Sequence, residues 1–418
     1  IMRKFVFGIL ALAQISFGIS LKEAIDSALK YNTDVLYQKL NTKIASEKKK
    51  EAFGNFLPSL DFNANTNVGK KLAIPEGPTS FVFQKGHFSQ WNFGLKQVLF
   101  DMPSFYKYKI SKDDLNAQKY MLAAVKTDVK IEVIDTYINA LIKKKLIEVD
   151  KKEIKDYKRH LYNVEQMYKQ GLVAFKDILQ TKVKLNQAKE KLAKDEGEYK
   201  VYIQKLSNLV GRPVHYLKEI NYISNPLSKY NLKQLIDIAL KNRIILKYGK
   251  TLIKKAKDYQ ALVKSTYLPK AYVEVRYGYS DEIPGLPYYQ DLVSAGVYWR
   301  MFGGLKRFHE VHQAFLAYKQ ALINYKKLEN DVKLQVTSSY EELKTAEKDI
   351  ALANSELKDA KEHYKIASEK YKAGLGTNTD VIDAEDYLTK ARTDVVNSRY
   401  FYALSVYKLI EVVAYGQK

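Results

Sequence analysis

The sequence predicts a mainly α-helical chain that also contributes four strands to a membrane β-barrel. Three observations carry this reading. The chain is written twice, four segments of about ten residues alternate strictly between apolar and polar, and two proline-free stretches suit very long helices. Leu21-Lys22-Glu23-Ala24-Ile25-Asp26-Ser27-Ala28-Leu29-Lys30 returns as Leu232-Lys233-Gln234-Leu235-Ile236-Asp237-Ile238-Ala239-Leu240-Lys241. Phe56-Leu57-Pro58 returns as Tyr267-Leu268-Pro269, and Tyr168-Lys169-Gln170-Gly171-Leu172 with Asp177 returns as Tyr371-Lys372-Ala373-Gly374-Leu375 with Asp380.

Each copy reads helix, strand, loop, strand, long helix, Gly turn, helix. The first helix spans about Leu21–Phe53 and its copy about Leu232–Ser265, with Pro58 and Pro269 placed to end them. Strands follow at about 59–69, 89–100, 271–280 and 291–302. In the first, Leu60, Phe62, Ala64, Thr66 and Val68 alternate with Asp61, Asn63, Asn65, Asn67 and Gly69. In the last, Val293, Ala295, Val297, Trp299 and Met301 alternate with Ser294, Gly296, Tyr298 and Arg300. Such a length suits a tilted membrane strand, with its apolar face toward lipid and its polar face toward water. A soluble sandwich would need a second sheet, which the chain does not supply. The segments 70–88 and 281–290 read as surface loops. The two tryptophans, Trp91 and Trp299, mark opposite membrane interfaces if their strands run the same way.

The long helices run about 104–170 and 305–372, so each is about 100 Å long at 1.5 Å per residue. Leu21–Phe53 with Ala174–Val210, and Leu232–Ser265 with Thr377–Val413, match them in length when stacked in pairs. A seam spaced 3-4-3-4 at Ile154, Tyr157, Leu161, Val164 and Tyr168 predicts coiled-coil packing, as does Leu388, Ala391, Val395, Ser398, Tyr402, Ser405 and Leu409. The domain plan is a signal peptide at 1–18, a first repeat at 19–211, a linker at 212–231 and a second repeat at 232–416. The signal peptide rests on Met2-Arg3-Lys4 followed by the apolar run Phe5–Phe17.

Composition narrows the chemistry. There is no cysteine among 418 residues, which excludes disulfides, thiol nucleophiles and thiolate metal sites. The formal charge of +22 is spread along the chain with acids interspersed, as on the solvated faces of long helices. No phosphate-binding loop or Gly-x-Ser-x-Gly elbow is present. His309-Glu310-Val311-His312 is one residue short of a zinc-protease motif and reads as solvated helix surface. An enzyme and a cofactor are therefore not expected.

The duplicated pattern resembles the outer membrane efflux (TolC) family over essentially the whole mature chain. Its most specific residues are Tyr371-Lys372-Ala373-Gly374-Leu375-Gly376-Thr377-Asn378-Thr379-Asp380-Val381-Ile382-Asp383-Ala384, supported by the copy around Gly171. The resemblance implies a homotrimer that pools four strands per chain into one twelve-stranded barrel in the outer membrane. It implies a periplasmic helical tunnel below that barrel. It also implies a passive exit duct for an inner-membrane pump or type I secretion system, joined by a periplasmic adaptor and embedded in outer membrane lipid, with no nucleic acid. Independently, four strands cannot close a barrel, so open edges call for further copies.

By the same resemblance, Asp380 and Asp383 line the pore constriction, where three chains would stack two rings of carboxylates. Their i, i+3 spacing puts them on one helix face. A second reading of Asp380 is helix capping by Thr377 three residues earlier, and the two roles are compatible. Asp177 is the first-repeat counterpart, but Gln180 stands where the second acid would be. Gly171, Leu172, Gly374 and Leu375 are the implied adaptor-contact tips. The second turn, Gly376-Thr377-Asn378, carries no basic residue of the kind that holds such tips closed in the family. The competing reading is a basic coiled-coil scaffold on anionic membrane or nucleic acid. It explains the lysines and heptads but leaves the strands and the signal peptide without a role.

Overall fold

A computed structural model describes residues 18–69, 73–76, 79–82, 86–220, 224–283 and 286–415. The expected signal peptide lies outside the described residues except for Gly18. In chain order the elements are α1 (Leu21–Tyr31), α2 (Thr33–Gly54), β1 (Ser59–Val68), β2 (Ala73–Glu76), β3 (Thr79–Val82), β4 (His87–Phe100), α3 (Met102–Lys169) and α4 (Phe175–Val210). The second copy follows as α5 (Leu232–Asn242), α6 (Ile244–Ser265), β5 (Lys270–Ser280), β6 (Tyr288–Tyr298), α7 (Lys306–Lys372) and α8 (Asn378–Val413). α3 has 68 residues and α7 has 67, while α4 and α8 have 36 each.

Two expectations of continuous helix give way to a break. Leu21–Phe53 is two helices because Asn32 takes an extended backbone (φ −60°, ψ 135°). Its carboxamide oxygen accepts the Asp34 N–H at 2.9 Å and the Val35 N–H at 3.3 Å, so one residue ends α1 and caps α2. Leu232–Ser265 breaks at the equivalent Arg243 (φ −57°, ψ 119°). Both first helices open with capping boxes, Ser20 with Glu23 and Asn231 with Gln234.

The chain divides into two compact units. The sheet unit comprises 38–122 and 244–328. Its strands form one antiparallel sheet in the order β1-β4-β5-β6, so β1 and β6 are both edges. The 70–88 connection, expected as plain loop, contains the hairpin β2–β3. The last strand is displaced from the expected 291–302 to Tyr288–Tyr298. Its pairing with β5 stops at Lys270↔Tyr298, because Pro269 precedes Lys270 and offers no N–H to extend the ladder. Residues 299–305 instead turn into α7, and the Arg307 guanidinium pins that turn by donating to the carbonyls of Arg300 and Thr266.

The hairpin unit comprises the described parts of 1–37, 123–243 and 329–418. The seam expected on α3 packs in small clusters. Tyr157 meets Leu185, Ala188 and Ile382, while Val164 meets Ile178, Tyr371 and Val381. Tyr168, the seam's last member, is exposed and pairs with Phe175 instead. In the linker, Ile19 and Leu217 form a parallel bridge, and the buried Tyr137 hydroxyl donates toward the carbonyls of Ile19 (2.9 Å) and Lys218 (2.7 Å). Burial raises that phenol's pKa.

Candidate functional site

The two Gly turns that end α3 and α7 have the same geometry. Gly171 (φ 74°) and Gly374 (φ 73°) are left-handed, a conformation that excludes most side chains. Leu172 N–H bonds to Met167 O at 3.0 Å, and Leu375 N–H to Lys370 O at 2.9 Å. The flanking bonds Gly171 N–H to Tyr168 O and Gly374 N–H to Tyr371 O complete Schellman caps. Leu172 and Leu375 project from these turns, 65% and 80% exposed.

Beyond the turns the copies part. α8 opens with a capping box in which Thr377 Oγ1 accepts the Asp380 N–H at 3.1 Å and the Thr377 N–H donates to Asp380 Oδ2 at 2.8 Å. These bonds favour the ionised carboxylate and lower the Asp380 pKa. Asp380 and Asp383 are both exposed on α8, followed on the same face by Tyr387 and Lys390. The opposite face carries Val381, Ile382, Ala384, Glu385 and Leu388 into the core. The stripe with both acids is therefore the one free of α8's own packing.

The sequence reading missed the polar contacts that fasten α8 to the first hairpin. Asn378, 3% exposed, accepts from Thr181 Oγ1 at 3.3 Å and lies 2.8 Å from His160 Nε2. Its amide donates to Asp177 O and Gln180 Oε1, both at 3.3 Å. One side chain thus ties α8 to α3 and α4, and burial lowers the His160 pKa. Two turns further, Asp386 receives the Tyr157 hydroxyl at 2.6 Å and the Lys184 ammonium at 2.7 Å. Burial and the neighbouring carboxylate raise the Tyr157 pKa.

Next comes a cluster with too few cations. Arg392 reaches Asp156 at 3.1 Å and Glu385 at 3.4 Å through the same nitrogen. Arg159 also serves Asp156, at 3.2 Å. Glu385 is 2% exposed, its Oε2 has no hydrogen-bond partner, and Asp156 and Glu153 stand nearby. Burial first, and then those carboxylates, push its pKa up to about 8. The sequence signal available was weak: acids at i, i+3 and i+6 around a heptad seam, where a helix surface would show the same spacing.

In the sheet unit, one face pairs Leu60 with Leu95, Phe62 with Phe93, Phe93 with Tyr277 and Val275 with Val293. The other aligns Asp61, Gly94 and Arg276, and also Lys96, Glu274 and Ser294. Glu274 and Arg276 form an ion pair at 2.6 Å, and Lys96 lies over the Tyr272 ring at 4.2 Å. Asp291 shares the apolar face with Val293 and stands opposite Tyr277. β4 and β6 run the same way, both antiparallel to β5. Trp91 stands opposite Tyr279, which stands opposite Tyr289, whereas Trp299 follows the far end of β6 and donates Nε1–H to Tyr267 O at 2.9 Å. The indoles thus lie at opposite ends of the sheet. His309 and His312 are exposed on α7, and no group of three potential metal ligands occurs among the described residues.

The family model described as outer membrane efflux protein matches residues 24–212 and 235–414. Comparison with curated proteins gives no match. Solved structures do resemble the fold. VceC of Vibrio cholerae superposes with a TM-score of 0.81 at 15% identity, over 95% of this chain and 97% of that one. CusC gives 0.82 at 14% identity, over 94% and 91%. The CmeC channel of Campylobacter jejuni gives 0.78 at 17% identity, over 94% and 85%.

Proposed function

From the premise that the chain belongs to the outer membrane efflux protein family, we propose that three copies close one barrel and that their α3–α4 and α7–α8 tips together form the duct's periplasmic entrance. The chain is an outer-membrane exit duct of efflux pumps, a passive channel and not an enzyme. One observation carries the trimer: the β1-β4-β5-β6 sheet ends in two unpaired edges. Edges of ten and eleven residues with free N–H and C=O groups are untenable in lipid, and joining β6 of one copy to β1 of the next removes every edge. Twelve strands then bound the pore. The apolar face, including Trp91 and Trp299 as interface aromatics, meets lipid, and the Asp61–Arg276 face meets water.

In this assembly Asp380 and Asp383 form two carboxylate rings at the narrowest point. Their exposure on the face of α8 left bare by its own packing supports that role. Asp380 then does two things at once, because its Oδ2 caps α8 while its charge remains in solvent. The tips Gly171–Leu172 and Gly374–Leu375 dock a periplasmic adaptor, which couples the duct to an inner-membrane pump. Two exposed leucines on rigid turns supply an apolar contact with little ordering cost.

The assembly test is the species recovered from the outer-membrane fraction in mild detergent. A stable trimer is expected, and a soluble monomer overturns the reading. The constriction test is single-channel conductance and cation selectivity of Asp380→Ala and Asp383→Ala. Reduced cation preference is expected in both, and unchanged channels reject the role.

A further inference from the structure

The charge of the sheet unit is unevenly placed. Its strands and the connections between paired strands, 59–100 and 270–298, hold equal numbers of basic and acidic residues, six of each. Its remaining, mostly helical segments at 38–58, 101–122, 244–269 and 299–328 hold twenty-one Lys and Arg against seven Asp and Glu. These segments enter and leave one end of the sheet, so a neutral membrane sheet is continued by a strongly basic collar.

The collar differs between the repeats at the elbow joining strand to long helix. In the first repeat the elbow is partly tied down. Asp101 takes Lys270 at 3.1 Å and Ser104 Oγ at 2.5 Å, and Pro103 and Ser104 are buried, while Leu99, Phe100 and Phe105 stay exposed around them. The β6–α7 elbow, Trp299 to Phe308, is open. Met301 (73%), Phe302 (80%), Leu305 and Phe308 project from it, together with Trp299 and Arg300. It is strapped to the α6–β5 junction by Trp299 Nε1–H to Tyr267 O, by Arg307 to Thr266 O and by Arg307 over the Tyr267 ring. Lys264 is exposed on the last turn of that junction.

Of the basic residues here, Arg307 serves the fold and Arg300 Nε reaches the Tyr298 hydroxyl at 3.2 Å, but Lys306 serves it poorly. α7 has no acid in its first turn and begins with Lys306 and Arg307. Cations at a helix N-terminus oppose its dipole. Arg307 is buried and occupied by carbonyls, but the Lys306 side chain is 80% exposed and only 3.9 Å from Glu310, a weak pair. Exposed aromatic and aliphatic side chains interleaved with Lys and Arg, beside a membrane-spanning sheet, match a polar–apolar interface with negative charge on its surface.

We propose that the β6–α7 elbow, with Lys264, Arg300 and Lys306, is a seat for anionic phospholipid headgroups in the periplasmic leaflet of the outer membrane. Met301, Phe302, Leu305 and Phe308 enter the headgroup–acyl boundary while the three cations hold phosphates above it. This rests on the outer-membrane reading of the sheet and adds a lipid class to it. A neighbouring copy is the other candidate occupant. The elbow lies past the last paired residue of β6, and its cations match phosphate, which favours lipid.

The test uses the purified trimer and short-chain phosphatidylglycerol or phosphatidylcholine added in detergent, with binding followed by the rise in trimer melting temperature. The native trimer is expected to prefer phosphatidylglycerol and to lose the preference in 0.5 M salt. Lys264→Gln/Arg300→Gln/Lys306→Gln is expected to remain trimeric and to bind phosphatidylglycerol about a hundredfold more weakly, at about fivefold per cation. Met301→Ser/Phe302→Ser tests the apolar half and should weaken both lipids. Equal response of the native trimer to the two lipids, or a charge variant that keeps the preference, overturns the seat. Loss of the trimer in the charge variant assigns the elbow to a neighbouring copy and also overturns it. Recovery of native chain as a soluble monomer would instead fail the duct reading, so the two failures are distinct.

Discussion

α4 and α8 have equal length and follow the same Schellman turn, yet α8 buries seventeen residues where α4 buries seven. The counterpart of buried Asn378 is Phe175, which is 55% exposed. The counterpart of Arg392 is the surface residue Lys189, whose closest partner is Asn186 at 3.5 Å. His160 and His363 are counterparts as well. The first is buried on Asn378, and the second is exposed beside the Tyr387 ring. Duplication therefore preserved the turns and divided the labour. α8 is held by its own chain, while α4 keeps bare apolar residues such as Leu179, Val183 and Val201, which a neighbouring copy covers in the proposed trimer.

The largest expected break in this asymmetry is Arg392→Ala. It leaves Asp156 and Glu385 buried with one fewer cation, an arrangement that costs about 3–5 kcal/mol. Lys189→Ala at the matching position of α4 should change stability by less than about 0.5 kcal/mol. Thermal melting of both variants checks the contrast, and equal losses would dissolve it. Arg392→Met with Glu385→Leu should recover part of the loss, because Glu385 no longer calls for a cation while Asp156 keeps Arg159 at 3.2 Å.

Next in size is the pH response of the α8 contact. The Glu385 pKa is raised from 4.5 in the unfolded chain to about 8 in the folded one. The folded state therefore holds the proton between these values while the unfolded state has lost it. The stabilising contribution is complete below about pH 4.5, declines as pH rises toward 8 and is flat beyond. Facing Glu385 are Asp156 and Glu153 from α3, Tyr364 from α7 and Arg392 from α8. Hydrogen exchange at the start of α8 should accelerate from pH 5 to pH 8 beyond the intrinsic rate, by the equivalent of about 2 kcal/mol. Glu385→Gln should abolish that excess. No such excess in the native protein would show that Arg392 keeps Glu385 ionised.

Much of this fold was legible because it is periodic. Alternation gave the four strands to within three residues except at the end of β6, where the stopping signal, Pro269, lies on the partner strand. The Gly turns were legible because a left-handed cap selects glycine. The breaks at Asn32 and Arg243 were hidden, since either residue is tolerated within a helix and only the backbone reveals the kink. The α8 anchors were hidden for another reason. Asn378, Glu385 and Arg392 have the side chains of a solvated surface, and only the third dimension places α3 over them. Asp380 could be read both as cap and as exposed acid, and it carries both features in the structure.

Asn378→Ala comes third, at about 1–3 kcal/mol, because it leaves the buried His160 nitrogen without its 2.8 Å partner and cuts the ties to α4, although the Thr181 hydroxyl keeps its bond to Asp177 O at 2.8 Å. Phe175→Ala in the first copy should cost less, since its ring is mostly solvated and packs on the exposed Tyr168 ring. Differential melting of the two variants ranks them, and a larger loss for Phe175→Ala would place the first tip in contact with something beyond its own chain.

The smallest prediction isolates a single difference between the tips. Thr377 caps α8 with its side chain, and the equivalent Ala174 makes no side-chain cap for α4, although Asp177 already stands at the third helical position. Ala174 has the extended backbone of a cap (φ −81°, ψ 152°), close to that of Thr377 (φ −99°, ψ 160°). Thr377→Ala should therefore cost about 1 kcal/mol, and Ala174→Thr should return a similar amount by building the missing box with Asp177. Equal and opposite shifts in melting temperature would mean that the cap contributes the same amount at the two tips whatever else differs between them. If Ala174→Thr gave no gain, the Asp177 side chain would already be committed elsewhere. Its backbone carbonyl, bonded to Asn378 at 3.3 Å, would then be the link that keeps the first tip subordinate to the second.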